Sequence, residues 1–250
     1  MRFNRSFFLF YAIASLLIGC KTNYVSQVKN SNNIVIDDKI TADSNIVNFY
    51  TPFKQKLENE MNRPIGYSNH YLSKIGSQPE FLVGNFFTDG LLSAAKQVDP
   101  EVQIALATKG GIRSEIKQGT ITVGSIFELM PFENTITILE LKGSDILTLC
   151  NFIAKTGGQP IAGLTLQIKD KKPVNIKIDN QPIDINKFYK LATYDYLANG
   201  GDYIEGILNP INRINTTKTV RDELIKYVEQ LTENGQNVNT QLDGRITILN

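Results

Sequence analysis

The chain has 250 residues and a balanced charge, with 26 lysines and arginines against 25 aspartates and glutamates and a formal net charge of +1. No cationic stripe with interleaved aromatic residues stands out, so the composition argues against a nucleic-acid polymer as partner. The length is sufficient for one sizeable domain beside an N-terminal leader.

The first twenty residues, MRFNRSFFLFYAIASLLIGC, are typical of a bacterial export signal. Arg2 and Arg5 precede an apolar run over residues 7–18, and the segment ends in a Leu-Ile-Gly-Cys lipobox pattern. The run is shorter than the roughly 20 residues of a membrane-spanning helix. We therefore expect residues 1–20 to be a lipoprotein signal peptide with Cys20 as the lipidated residue. An ordinary signal peptide cut near Gly19 is the alternative. The protein would be extracytoplasmic and lipid-anchored to a bacterial membrane, in the periplasm or at the cell surface.

Residues 21–43 are rich in Asn, Ser and Lys and are predicted to be a polar spacer, which leaves residues 44–250 as a single domain. With Cys20 lipidated, Cys150 would be the one remaining cysteine, so no disulfide could form within the mature chain. Cys150 follows the apolar residues of LKGSDILTLC, where it is expected to pack as a small buried hydrophobe.

The spacing of apolar residues predicts alternating helices and strands in the first half of the domain. Residues 42–61 have nearly helical periodicity, which Pro52 could interrupt. The predicted elements are a helix at 42–61, an extended segment at 65–72, a helix at 81–98, a buried strand at 101–107, a turn at 110–119, a strand at 120–123 and a short helix at 124–129.

The second half continues in the same way. The predicted elements are a strand at 135–141, a helix at 143–155, strands at 163–169, 173–178 and 188–193, a helix at 217–232 and a closing strand from residue 245. Helices and strands are interleaved without strict βαβ regularity and without an internal repeat. The predicted fold class is therefore α+β or mixed α/β, a single domain with a mixed sheet flanked by helices.

Two turn-like segments carry candidate binding residues. In ATKGGIRSE, Gly110 and Gly111 would let the backbone approach a ligand, and Arg113 offers a planar fork to phosphate or carboxylate. A hairpin with a solvated arginine would have the same pattern. In ELMPFENT, Pro131 fixes the backbone before Phe132, an aromatic residue that could stack on a nucleobase or fill the core.

A third segment, YDYLANGGDY, contains a strong turn signal at residues 199–201. Asp202 could accept hydrogen bonds from paired hydroxyls of a ligand, or from backbone amides as a local cap. Tyr194 and Tyr196 would share a face only if the backbone between them is extended.

In order and spacing, these segments resemble the C-terminal domain of the 5'-nucleotidase family, secreted enzymes that remove phosphate from nucleotides. The resemblance covers about residues 45–249. It includes Ile65-Gly66, a helix start with Glu80, Gly84, Asn85 and Asp89, and the motifs GGIR, MPFENT, LKGSDI, LANGGD and GRIT. The combination of GGIR, PF and NGGD is specific, whereas no single motif is.

In that family the C-terminal domain holds the nucleoside, and the resemblance implies a role for each matching residue. Phe132 would form one face of an aromatic clamp on the base, and Tyr196, where the family usually has phenylalanine, the other. Asp202 would bind the ribose hydroxyls and Arg113 would meet the phosphate. The implied substrate-binding residues are Arg113, Phe132, Tyr196, Asn199, Gly200, Gly201 and Asp202.

Two positions depart from the family pattern. An asparagine that opens the GGIR turn is replaced by Thr108, which would weaken a direct contact to the base. An arginine expected before the helix at Glu80 falls on Ser77, so one of two phosphate-binding cations is lost. Affinity for free nucleotide could therefore be low.

Family members also carry an N-terminal metallophosphatase domain, whose paired metals activate water. Only the predicted signal and spacer precede the domain here, and the single histidine, His70, is too few for such a site. We expect no catalytic residue, metal or cofactor in this chain, and a separate metallophosphatase partner that supplies divalent metals in nucleotide catabolism. The alternatives are a stand-alone surface lipoprotein that captures nucleotides without hydrolysis, and a degenerate domain kept for protein contacts.

Overall fold

The computed structural model describes residues 35–75 and 78–249. The predicted signal peptide with Cys20, most of the predicted spacer, and Ser77 lie outside the described residues. Within the described ranges, no helix combines the length and apolar character that a membrane crossing needs. Residues from Tyr50 onward form one compact unit.

The amphipathic segments of the sequence form helices close to their predicted bounds. The helices of the described residues are α1 (Ser44–Met61), α2 (Leu82–Val98), α3 (Val123–Leu129), α4 (Gly143–Lys155), α5 (Asp195–Ala198) and α6 (Val220–Glu233). Helix α1 continues through Pro52, so the interruption considered there is absent. Proline lacks one N–H donor, and α1 keeps its helical backbone despite that loss.

The strands form a two-stranded, a five-stranded and a four-stranded sheet. They are β1 (Pro64–Ser68), β2 (Val102–Leu106), β3 (Gly119–Thr122), β4 (Thr135–Lys142), β5 (Ile161–Ala162), β6 (Leu164–Lys169), β7 (Lys172–Ile178), β8 (Gln181–Pro182), β9 (Phe188–Tyr194), β10 (Asn212–Thr219) and β11 (Ile246–Ile248). The five-stranded sheet has the order β10-β4-β9-β2-β5, in which β2 and β9 are parallel and the other pairs antiparallel. The sheet is therefore mixed, as predicted.

Helices cover this central sheet. Helix α2 packs against β2, β5 and β9, and α4 packs against β4 and β9. Most residues of β4 and β9 are buried, which fits a sheet covered on both faces. Cys150 of α4 is fully buried, which confirms its predicted packing, and burial raises the pKa of its thiol to about 12.

The segment before α6 differs from the prediction. Residues 217–219 were expected to open the helix, but they complete β10, which pairs with β4 at the edge of the sheet. The Thr219 hydroxyl then accepts a hydrogen bond from the Asp222 N–H at 3.2 Å and caps α6. The polar sequence NRINTTKT forms an edge strand because pairing with β4 does not require it to be apolar.

Candidate functional site

The GGIR, PFEN and NGGD motifs meet at one end of the strands of the five-stranded sheet. Strands β2 and β9 are parallel neighbours, so their carboxyl ends lie at the same edge, and antiparallel β4 begins there. The GGIR turn follows β2, the PFEN segment precedes β4, and the NGGD turn follows β9. The carboxyl ends of parallel strands are where open sheets usually bind ligands.

A cavity of about 380 Å³, here called the clamp cavity, lies between these loops. Its lining residues are Gly110, Gly111, Arg113, Phe132, Asn134, Tyr194, Tyr196 and Asp202. The structure thus brings together four predicted substrate-binding residues, Arg113, Phe132, Tyr196 and Asp202. Residues 199–201 shape the adjacent turn and do not line the cavity.

Two partly exposed aromatic rings line the clamp cavity. Phe132 is 39% exposed and Tyr196 is 51% exposed. The Arg113 guanidinium carbon lies 5.8 Å from the centroid of the Phe132 ring, within the range of a cation–π contact. Tyr194 ends β9 whereas Tyr196 lies in α5, so the two tyrosines do not share an extended segment. Both nevertheless line the cavity.

Helix α6 anchors the segment that carries Phe132. The Arg221 side chain is buried, and its guanidinium pairs with the Glu133 carboxylate and donates to the Phe132 carbonyl at 3.4 Å. The same guanidinium lies over the Phe127 ring, 4.1 Å from its centroid. Neither sequence pattern nor resemblance identified Arg221, because its role depends on a contact between distant parts of the chain.

Glycines allow the NGGD turn to fold under Tyr196. Asn199 caps the C-terminus of α5, and Gly200 has the left-handed φ of 97° that glycine adopts readily. A Cβ on Gly201 would lie 2.5 Å from Cε1 of Tyr196, so the ring packs directly on this backbone. Asp202 follows with φ 54°, a left-handed conformation that aspartate tolerates better than most residues.

Two hydroxyls hold the Asp202 carboxylate. The buried Thr108 hydroxyl donates to Oδ2 at 2.6 Å, and the Tyr196 hydroxyl donates to Oδ1 at 3.2 Å. Thr108 was expected only to weaken a contact to a base. In the structure its hydroxyl is directed to the carboxylate instead, a role that the sequence did not reveal.

The GGIR turn is packed tightly against Tyr194. The Gly111 N–H donates to the Thr108 carbonyl at 3.1 Å, and a Cβ on Gly111 would lie 2.2 Å from the Tyr194 hydroxyl oxygen. Burial raises the pKa of Tyr194 to about 12. The Arg113 backbone N–H donates to the Leu129 carbonyl at 2.9 Å, which ties the turn to the end of α3.

A second cavity of about 560 Å³, the polar cavity, shares Arg113 with the clamp cavity. It is lined by Tyr71, Lys74, Arg113, Ser114, Glu115, Ile116, Lys117, Thr120, Ser125 and Glu128. The Lys74 ammonium donates to the Ile112 carbonyl at 2.6 Å, and burial and the neighbouring Arg113 charge lower its pKa. The Glu115 carboxylate accepts from the Tyr71 hydroxyl, which lowers the pKa of Glu115. Arg113 and Lys74 thus place two cations close together beside the clamp cavity.

His70 takes part in a backbone contact. Its Nε2 lies 2.6 Å from the Thr240 carbonyl oxygen, to which the ring nitrogen donates. Across residues 35–75 and 78–249, histidine, cysteine, aspartate and glutamate side chains form no group of three or more suited to a metal ion.

The greater part of this chain is similar to known proteins. Residues 64–207 match the family model described as 5'-nucleotidase, C-terminal domain. The chain is 26% identical over 207 residues to a 5'-nucleotidase of Vibrio parahaemolyticus, covering 80% of this chain and 36% of that protein. It is 30% identical over 219 residues to the trifunctional nucleotide phosphoesterase protein YfkN of Bacillus subtilis. This match covers 78% of this chain and 14% of that protein. The chain therefore spans well under half the length of these relatives.

Solved structures agree with the family match. The 5'-nucleotidase precursor of Thermus thermophilus superposes with a TM-score of 0.71 and 26% identity, over 80% of this chain and 42% of that one. The NAD nucleotidase of Haemophilus influenzae shares the fold, with a TM-score of 0.64 at 16% identity. This match covers 82% of this chain and 41% of that one. The predicted fold and the resemblance are confirmed. This chain belongs to the family of 5'-nucleotidase C-terminal domains.

Proposed function

We propose that this chain is the nucleotide-recognition domain of a 5'-nucleotidase-type phosphohydrolase system and binds a nucleoside 5'-phosphate in the clamp cavity. One observation carries the proposal: three separate segments, which supply Arg113, Phe132, and the pair Tyr196 and Asp202, line a single cavity. Two rings, a carboxylate and a guanidinium are the groups that a base, a ribose and a phosphate would require.

Each part of a nucleotide has a chemically suitable partner in this cavity. The partly exposed rings of Phe132 and Tyr196 offer flat apolar surfaces to a base, and stacking of this kind tolerates any base. The Asp202 carboxylate offers acceptors to ribose hydroxyls, which are donors. The cavity volume of about 380 Å³ is in the range of small-molecule sites.

The phosphate end would lie at Arg113, between the clamp cavity and the polar cavity. A guanidinium can donate two parallel hydrogen bonds to a phosphate. Lys74 and Arg113 both line the polar cavity, and an anion bound between them would offset the repulsion that, after burial, lowers the pKa of Lys74. Lys74 thus offers a second cation in addition to Arg113 at this end of the site.

Replacing Arg113 with glutamine is expected to raise the Kd for AMP by about tenfold or more, because hydrogen bonds to charged groups are the strong ones. The Kd for adenosine should change little, because adenosine carries no phosphate. Isothermal titration calorimetry with both ligands at fixed ionic strength measures the difference. Lys172→Gln removes a cation that lines neither cavity and is the matched control. An equal loss for AMP and adenosine would show that Arg113 does not face the phosphate.

We further propose that hydrolysis requires a separate metallophosphatase that supplies divalent metals, and that Cys20 anchors the chain to a bacterial membrane outside the cytoplasm. The first part is supported by the resemblance to a family in which paired metals activate water. The second is supported by the lipobox pattern of residues 17–20.

Phosphate release from AMP tests the split system. The chain, a candidate metallophosphatase, and both together are assayed with added divalent metal, and release is expected to be substantially faster with both proteins than with either. Robust release by this chain alone would overturn the proposal. Tight AMP binding without any increase in release would favour the surface capture protein. Absence of AMP binding would leave the degenerate domain as the better interpretation.

A further inference from the structure

The Thr108 hydroxyl has all of its hydrogen-bonding capacity in use. Thr108 is 3% exposed, and its Oγ1 lies 2.6 Å from Asp202 Oδ2, 3.2 Å from the Gly111 nitrogen and 3.4 Å from the Tyr194 hydroxyl. A hydroxyl has one proton to donate and two lone pairs to accept with. The Gly111 N–H, which the Thr108 hydroxyl and carbonyl oxygens share, can only donate, and the carboxylate oxygen accepts. The single Thr108 proton therefore points to Asp202, and Tyr194 donates to Thr108.

The second oxygen of the same carboxylate is held by a different residue. The Tyr196 hydroxyl donates to Asp202 Oδ1 at 3.2 Å. Gly201 allows this contact, because any side chain there would collide with the Tyr196 ring. Thr108 and Tyr196 thus fix the carboxylate from two sides, one from the turn just after β2 and one from α5.

These two hydrogen bonds leave acceptor sites on the Asp202 carboxylate free for a ligand. A carboxylate has about four lone-pair sites, two on each oxygen. The two hydroxyls occupy one site on each oxygen, so one site remains on each. The terminal torsion of aspartate is otherwise broad, and an unrestrained carboxylate would rotate freely. Two acceptor sites held at a fixed spacing match the two neighbouring hydroxyls of a ribose.

We propose that Thr108 and the Tyr196 hydroxyl are positioning groups that orient Asp202 for a ribose diol, and that they make the site selective for ribonucleotides over 2'-deoxyribonucleotides. The inference rests on the proposed function. Thr108 and Tyr196, 88 residues apart in the sequence, thus act on a single carboxylate.

The test compares the Kd values for AMP and 2'-deoxy-AMP by isothermal titration calorimetry. The wild type is expected to bind AMP at least about tenfold more tightly, because the deoxy sugar leaves one carboxylate site unpaired. Thr108→Val has nearly the same shape without the hydroxyl and should reduce this ratio to about threefold or less. Thr108→Ser keeps the hydroxyl and should have a ratio close to that of the wild type.

Tyr196→Phe tests the second hydroxyl at an exposed position where folding is not at risk. It should reduce the ratio while leaving the stacking ring in place. If Thr108 had a purely structural role, Thr108→Val would weaken the binding of AMP and of 2'-deoxy-AMP equally. A ratio of the two Kd values that is unchanged in both Thr108→Val and Tyr196→Phe would therefore overturn the inference. A wild type that binds neither ligand would overturn the proposed function. A wild type that binds both ligands equally tightly would overturn this inference and leave the proposed function standing.

Discussion

Replacing Phe132 with alanine is expected to weaken AMP binding by about 1–3 kcal/mol, the range for stacking of one base on one aromatic side chain. In terms of Kd this is an increase of roughly 5- to 150-fold. The ring lines the clamp cavity and is partly exposed, so it has surface available to a ligand. Arg221 holds the backbone at Phe132 and Glu133, so the segment should keep its position after the ring is removed. Isothermal titration calorimetry measures the change directly.

Phe188→Ala is the matched control for this prediction. Phe188 is also a surface phenylalanine, 54% exposed, but it lies at the opposite end of β9 from Tyr194 and lines neither cavity. Its removal should leave the Kd for AMP unchanged. Tyr196→Ala should weaken binding at least as much as Phe132→Ala, because it removes both a ring and a hydrogen bond to Asp202. Unchanged affinity in both Phe132→Ala and Tyr196→Ala would refute the aromatic clamp.

The fold was largely predictable because most of its helices after α1 bury an apolar face and its central strands are short apolar runs. Helix α4 follows the strand-like TITILELK and ends near the glycines at 157–158, as its sequence indicates. Strand β10 was missed because its residues are polar and half exposed. What makes NRINTTKT a strand is the partner β4, which local propensity does not reveal.

The candidate site was predictable only in part, and for a related reason. Arg113, Phe132 and Asp202 lie in turns whose motifs are visible locally, and the parallel pairing of β2 and β9 then brings the turns together. Arg221 and Glu133 are separated by 88 residues, and Thr108 and Asp202 by 94. Contacts of that range follow from the packed structure and leave no pattern in neighbouring residues.

The tight packing of the GGIR turn predicts a large effect at Gly111. Gly111→Ala would place a Cβ 2.2 Å from the Tyr194 hydroxyl oxygen and 3.2 Å from Thr108 Oγ1. Tyr194 is fully buried and has little room to move. Overpacking of this kind typically costs about 1–3 kcal/mol, and each kcal/mol lowers the Tm of a domain of this size by roughly 2–4 °C. AMP affinity should fall as well, because a shifted Tyr194 disturbs the Thr108 contact to Asp202.

Gly110→Ala provides the control, because a Cβ there would lie 3.7 Å from Asp202 Oδ2, an ordinary contact. Its Tm in thermal unfolding should stay close to that of the wild type. Tyr194→Phe removes the atom that the new Cβ would strike, so the Gly111→Ala, Tyr194→Phe double variant should be more stable than the sum of the single effects predicts. Contacting residues typically couple by about 0.5–3 kcal/mol. Equal Tm values for the two glycine variants, together with strict additivity in the double variant, would show that the Tyr194 hydroxyl does not make Gly111 necessary.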